Sequence, residues 1–165
     1  MLIPVVQATL RRELGAVQRS VASYPDDASL WVLPNGVPNA GGTIVLHLAG
    51  NLQHFVGAML GGTGFVRDRA AEFARRDGSR AELLGELAKT IAVVDRTLLT
   101  LSEESLSQPY PDKVGGEVLP IGVVLVHLAT HLAYHLGQLD YHRRMVTGNS
   151  SGVGAVAANE LRLPR

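Results

Sequence analysis

Apolar residues recur every three or four positions in four stretches of the chain, a spacing that predicts amphipathic helices. The first helix is expected at about 5–23 and the second at about 43–60, where Gly61-Gly62 ends it. The apolar stripe of the first helix consists of Val6, Leu10, Leu14, Val17 and Val21. Pro and Gly residues break the pattern between these helices, so 24–42 is predicted to be a long loop.

The third and fourth helices carry clear boundary signals. Ser79-Arg-Ala-Glu82 has the spacing of a capping box and predicts a helix over about 79–101. The fourth helix is expected over about 120–147, ending at Gly148. Between them, Gly115-Gly116 favours a loose hairpin. Four helices without a convincing strand predict an all-α fold, a four-helix bundle forming one domain over 1–165.

Residues 149–165 are predicted to be a C-terminal extension of this domain with a short terminal helix. The chain of 165 residues is long enough for one domain with its own core. Its 15 basic and 15 acidic residues give a net charge of zero, which argues against nucleic acid or an anionic membrane as a partner. The chain has no cysteine, so any metal must be held by nitrogen and oxygen ligands.

The most apolar segment, 118–139, is long enough to raise the question of a membrane span. Pro120 and three histidines within it favour a buried helix with a polar stripe, since histidines facing lipid are costly. No basic residue precedes the apolar N-terminal stretch, which makes it a poor secretory signal. We therefore expect a soluble cytoplasmic protein without a membrane partner.

Histidines supply the strongest candidate chemistry. His127, His131 and His135 recur every four residues on the fourth helix, so an adjacent pair can share one ion. The outer two lie roughly 12 Å apart along the axis, which is too far for all three to bind the same ion. His47, on the apolar face of the second helix, supplies a further ligand in the bundle core.

Three neutral imidazoles leave coordination positions open for water or substrate. The spacing alone does not decide which adjacent pair of the fourth helix binds. It also leaves open a metal-free alternative in which the histidines hydrogen-bond to one another across the core.

Several motifs together resemble the DinB-like (YfiT-like) metal-dependent superfamily, in particular a bacterial subgroup. The resemblance extends from the first helix to about Gly148, and the motifs that carry it are Asn39, His47-Leu-Ala-Gly-Asn51, Gly61-Gly62, Arg67-Asp-Arg-Ala-Ala-Glu72-Phe73 and His131 followed by His135-Leu-Gly-Gln138. It implies an up-down-down-up bundle that binds a divalent ion such as nickel, zinc, iron or manganese, and a homodimer. It selects His47, His131 and His135 as the ligands. Many relatives have Arg directly after the last ligand, where this chain has Leu136.

Further polar residues are expected around this site. Gln138 could hydrogen-bond a ligand imidazole, and Asn51, one turn after His47, could bind substrate or a neighbouring backbone group. In the antiparallel arrangement that the family fold implies, His54 lies level with His127 beyond the metal, where the two could hydrogen-bond or line a pocket.

Two other groups of polar residues are expected at the surface. His142 is predicted there because it adjoins Arg143 and Arg144 at the end of the helix. The second group is Arg67, Asp68, Arg69 and Glu72. These residues are predicted to form an ion-pair network that orders the loop after the second helix. The alternative is that they bind an anion, such as a substrate carboxylate.

The first functional hypothesis is a metal-dependent enzyme acting on a small molecule. A hydrolase would use water as its nucleophile, whereas the resemblance also implies a transferase that uses a low-molecular-weight thiol. No carboxylate stands at an obvious spacing to act as a general base, since Asp140 lies on another face from His135, and this slightly favours the thiol. The alternative is a non-catalytic, stress-related metal-binding dimer.

Overall fold

Four long α-helices surround the hydrophobic core in the computed structural model, which describes residues 1–163. They are α1 (Leu2–Ala22), α2 (Gly41–Leu52), α4 (Arg80–Leu98) and α5 (Ile121–Thr147), and a short α3 (Arg69–Ala74) lies between α2 and α4. No β-strand forms among residues 1–163. The predicted all-α class is therefore confirmed. Residues 164 and 165 of the predicted domain lie outside the described part of the chain.

The core forms where α1 and α2 each pack against both α4 and α5. On α5, the fully buried stripe consists of Leu125, Leu128, Leu132, Leu136 and Leu139. His127, His131 and His135 each precede a leucine of this stripe, so they lie along the edge of the buried face of α5. The up-down-down-up order of helix directions stays a prediction.

Both predicted helix signals around α4 and α5 form as expected. The Glu82 backbone N–H donates to Ser79 Oγ at 3.1 Å, and the Ser79 backbone N–H donates to Glu82 Oε2 at 2.7 Å, which completes the capping box. Gly148 ends α5 with φ of 68°, a left-handed conformation that glycine adopts without strain.

The structure differs from the predicted elements mainly after α2. The α-helical part ends at Leu52, and the chain continues as a π-helix over Gln53–Ala58, a feature often found at functional sites. The short helix α3 was not predicted. Asp68 caps it by accepting a hydrogen bond from the Ala71 backbone N–H. The predicted terminal helix is a single 3-10 turn over Ala158–Glu160 within the described residues. Only isolated antiparallel bridges, such as Val114 with Glu117, form in the predicted hairpin.

His142 was predicted at the surface, and this prediction was wrong. Its side chain is fully buried, because positions three and four residues after Leu139 continue the core face of α5. His142 Nε2 lies 2.8 Å from the Val32 carbonyl oxygen, and its Nδ1 lies 2.7 Å from the Tyr24 hydroxyl. The shorter contact, to the Val32 carbonyl, favours the proton on Nε2, whereas the Gly41 backbone N–H, 3.2 Å from the same Nε2, favours the other tautomer.

Burial lowers the pKa of His142 in the folded protein, and the hydrogen bond to Val32 opposes this only in part. Because the unfolded chain takes up a proton near pH 6.5 that the folded protein resists, this histidine lowers stability as the pH falls below about 6.5. We expect the advantage of wild type over His142→Gln in the free energy of unfolding to be smaller at pH 5.5 than at pH 7.5.

Urea denaturation of EDTA-treated protein at both pH values measures this difference. The exposed His127 on the same helix provides a matched control, because His127→Gln leaves the buried contacts of His142 in place. A wild-type advantage over His142→Gln that is the same at both pH values would contradict the assignment.

Candidate metal centre

Three histidines from two helices meet at one edge of the core. His47 lies on the buried face of α2, and His131 and His135 project from α5 one helical turn apart. One potential ligand atom of each residue lies within 4.8 Å of those of the other two. His47 is 7% exposed, whereas both α5 histidines are half-buried. The cluster is therefore anchored in the core through α2 and accessible from the α5 side.

The distances in the cluster suit a shared divalent ion. His47 Nε2 lies 3.2 Å from His131 Nε2. Two imidazole nitrogens bound to one tetrahedral zinc ion are separated by about 3.3 Å, given metal–nitrogen distances of about 2.0–2.1 Å. The same separation also suits a hydrogen bond from His131 Nε2–H to His47 Nε2, which is the metal-free alternative. The geometry thus permits both, and the contacts of the other ring nitrogens bear on the choice.

His47 is held on its far side by a buried ion pair. Its Nδ1 lies 3.2 Å from Glu72 Oε2, on α3. Arg67 donates from Nε to Glu72 Oε1 at 2.7 Å and from Nη2 to Glu72 Oε2 at 2.8 Å. Both partners are about nine-tenths buried. Arg67 and Glu72 therefore form a bidentate pair whose carboxylate also contacts a candidate ligand.

The carboxylate of Glu72 favours the tautomer of His47 that a metal site needs. Because an ionised carboxylate only accepts hydrogen bonds, the contact assigns the imidazole proton to Nδ1 and leaves Nε2 free for a metal. Arg67 Nη2, which can only donate, lies 3.1 Å from the same Nδ1 and competes with this arrangement. A carboxylate behind a ligand histidine is a common feature of metal sites, where it orients the ring and raises its basicity.

His135 is oriented in the same way by Gln138. His135 Nδ1 lies 2.7 Å from Gln138 Oε1, one turn further along α5. With the amide oxygen accepting, the proton lies on Nδ1, and Nε2 is the nitrogen available to a metal. Gln138 thus contacts the ring of a candidate ligand, and its role in a metal site stays a prediction.

All three histidines resist protonation. Burial lowers the pKa of His131 to about 4, and the neighbouring His135 and His47 contribute in the same direction. Burial also lowers the pKa values of His47 and His135, while the hydrogen bonds that these rings donate to Glu72 and Gln138 respectively oppose this in part. Neutral imidazoles at pH 7 are the form that binds a metal. The donor set therefore fits a divalent ion.

The structure does not bring the other predicted pocket residues into the histidine cluster. Asn51 is buried one turn after His47, and its Oδ1 has no hydrogen-bond partner among the described residues. His54 is half-buried in the π-helix, and its buried Nδ1 likewise has no partner in residues 1–163. His127 is exposed, with its ring 6.2 Å from that of His131. Nowhere in the described chain does a hydrogen bond join His54 to His127.

Arg67 and Glu72 were expected at the surface, and that expectation was wrong. They lie 20 and 25 residues from His47 along the chain, and the loop before α3 folds back to bring them there. One signal in the sequence could have indicated this approach: Gly50 lies one turn from His47 within α2. A side chain at Gly50 would collide with the Glu72 carboxylate, so the close contact requires glycine.

We expect Glu72→Gln to weaken the binding of zinc or cobalt by about 10–100-fold, because loss of an outer partner frees the ligand ring. Competition with a chromogenic chelator measures the affinity. Glu86→Gln is the matched control, since Glu86 lies on α4 and pairs with Lys89 instead. Equal affinities of Glu72→Gln and Glu86→Gln would show that Glu72 has no such role.

Two clefts lie next to the histidine cluster, and each is lined by a residue that hydrogen-bonds a clustered histidine, Glu72 in one and Gln138 in the other. A cleft of about 510 Å³ lies between α2, α3 and α4 and includes Glu72 in its wall. A smaller one of about 240 Å³ lies beside α5 and includes Gln138. None of the three clustered histidines lines either cleft. A ligand in either cleft would therefore contact the outer partners rather than the histidines.

The fold and the histidine centre define an all-α protein with a candidate metal site. The sequence model of the DinB superfamily matches residues 9–139. The chain belongs to this superfamily. No curated protein and no solved structure matches the chain significantly. Within the described residues, no helix is both long enough and apolar enough to cross a membrane.

Proposed function

We propose that this protein is a metal-dependent enzyme that uses a low-molecular-weight thiol to attack a small electrophile. The observation that carries the proposal is the convergence of His47, His131 and His135, two of them oriented through Nδ1, at a half-open edge of the core. Nickel, zinc, iron or manganese are the candidate ions. A divalent ion with open positions supplies Lewis acidity and stabilises an anionic nucleophile at neutral pH.

The residues of the chain would prepare this site in distinct ways. His47 is fixed from its buried side by Glu72, which is itself held by two hydrogen bonds from Arg67. Gln138 fixes His135 from the surface side of α5. With each outer partner accepting at Nδ1, the Nε2 atom of both rings would carry a free lone pair for a metal. His131 would complete the set as the third ligand.

The engagement of Glu72 favours a thiol over water as the nucleophile. Glu72 contacts His47 and receives both hydrogen bonds from Arg67, so its oxygens are not free to accept a proton from an attacking water. A thiol ionises far more readily than water and needs no strong protein base.

Asn51 is a candidate contact for the small molecule. Buried polar atoms ordinarily have a hydrogen-bond partner. A donor group of a bound small molecule would supply one for Asn51 Oδ1.

Reaction of simple thiols with 1-chloro-2,4-dinitrobenzene tests the proposal. The sulfur displaces chloride from the ring, the thiol proton goes to the buffer, and absorbance reports the product. We expect zinc- or nickel-loaded protein to accelerate the reaction, EDTA-treated protein and His131→Ala to lose this acceleration, and Glu86→Gln to retain it.

Parallel assays with 4-nitrophenyl acetate and no thiol separate the alternatives. Metal-dependent ester hydrolysis without thiol transfer would contradict the thiol proposal and support a hydrolase. Absence of both activities across a panel of esters, phosphate esters and electrophiles, in protein with one bound ion, would favour the non-catalytic alternative.

A further inference from the structure

An exposed arginine that the metal centre does not use is connected to His47 through the ring of Phe73. The Phe73 ring, on α3, lies 5.0 Å from the His47 ring, centroid to centroid. Arg69 places its Cζ 4.8 Å from the centroid of the same Phe73 ring. The guanidinium therefore lies no farther from the His47 ring than the sum of these two distances. A small molecule of a few carbon atoms can span this separation.

The charge of Arg69 is uncompensated, unlike that of Arg67. Arg67 is neutralised by its bidentate contact with Glu72. Arg69 is exposed and makes no ion pair among residues 1–163. Its neighbour Asp68 uses its carboxylate to cap α3. With three neutral imidazoles and a divalent ion, the centre and its surroundings carry a net positive charge to which Arg69 adds.

We propose that Arg69 binds the carboxylate of an anionic low-molecular-weight thiol whose sulfur reaches the three-histidine centre. This inference rests on the proposed function and names the class of thiol. A guanidinium suits the task because its fork of N–H donors matches a carboxylate with two parallel hydrogen bonds. Stacking on Phe73 leaves the edge of the guanidinium, where the donors lie, free for this contact.

Cobalt-substituted full-length protein provides a direct test without turnover. A thiol that binds cobalt as its thiolate, releasing its proton to the buffer, produces a charge-transfer band in the near ultraviolet. We expect 3-mercaptopropionate, which carries a carboxylate, to bind about tenfold more tightly than neutral 2-mercaptoethanol at moderate salt. In Arg69→Gln the two thiols should bind with about equal affinity. The affinity for 2-mercaptoethanol should be the same as in wild type.

Two further variants separate a binding role from a structural one. Arg69→Lys keeps the charge but loses the fork of donors, so it should retain only part of the preference. Arg96→Gln removes an exposed arginine on α4 and should leave the preference intact. Equal affinities for the two thiols in wild type, or a preference that survives in Arg69→Gln, would overturn the inference while the thiol function stands. Cobalt that binds without any thiol band would overturn both the thiol function and this inference.

Discussion

His131→Ala should lose its bound divalent ion while remaining folded. The three candidate ligand rings form a triangle, with centroids 5.2 Å apart for His47 and His131, 4.5 Å for His131 and His135, and 4.9 Å for His47 and His135. Loss of a residue that only orients a ligand lowers metal affinity by about 10–100-fold. His131→Ala removes a ligand itself, so the affinity for zinc or cobalt should fall by over about 100-fold. Chelator competition and elemental analysis after gel filtration measure the loss.

His127→Ala is the matched control for this variant. It removes the same side chain from the same stripe of α5, but His127 is exposed and outside the cluster. It should keep one equivalent of metal with wild-type affinity. Equal metal loss in both variants, or retention in both, would contradict the assignment of the ligands. Circular dichroism of both variants shows whether α5 and the bundle are intact.

Arg143→Met should lower the free energy of unfolding by about 3 kcal/mol, which corresponds to a fall in Tm of about 6–12 °C. The Arg143 side chain is fully buried and donates to Asp140 Oδ1 at 2.7 Å and to two backbone carbonyls, those of Asn149 and Ser151. Methionine fills a similar volume but leaves these acceptors without a donor. Urea denaturation measures the change.

Arg144→Met provides the comparison at the next position. Arg144 also pairs with Asp140, at 2.8 Å, but about a third of its side chain is exposed. Water can replace its hydrogen bonds, so the expected loss is under about 1 kcal/mol. If the two variants were equally stable, the buried network would not be what holds the segment after α5 against the bundle.

The periodic core determined which parts of the fold were predictable. α1, α4 and α5 begin and end within about three residues of the predicted bounds because their apolar stripes and caps are local signals. The π-helix after Leu52 was not predicted, since apolar spacing does not specify a change from α to π hydrogen bonding. The homodimer and the cytoplasmic location stay predictions.

The candidate site was predictable where it depends on helix geometry. The helical spacing of the α5 histidines and the apolar face that carries His47 are local information, whereas the choice of the His131–His135 pair over His127–His131 came with the family resemblance. Glu72 and Arg67 reach His47 through a loop whose path no local pattern specifies. His142 was wrongly predicted at the surface because the prediction relied on its charged neighbours Arg143 and Arg144. The apolar spacing that continues from Leu139 places it on the core face.

The most direct measurement of the central claim is X-ray absorption spectroscopy of the full-length protein, purified without a histidine tag and loaded with zinc. One equivalent of bound zinc with scattering from three imidazole rings, at nitrogen distances of about 2.0–2.1 Å, is the predicted result. No bound ion after reconstitution with nickel, zinc, iron or manganese, or a bound ion without imidazole scattering, would contradict the claim. The histidines would then form a hydrogen-bonded group at the edge of a metal-free bundle.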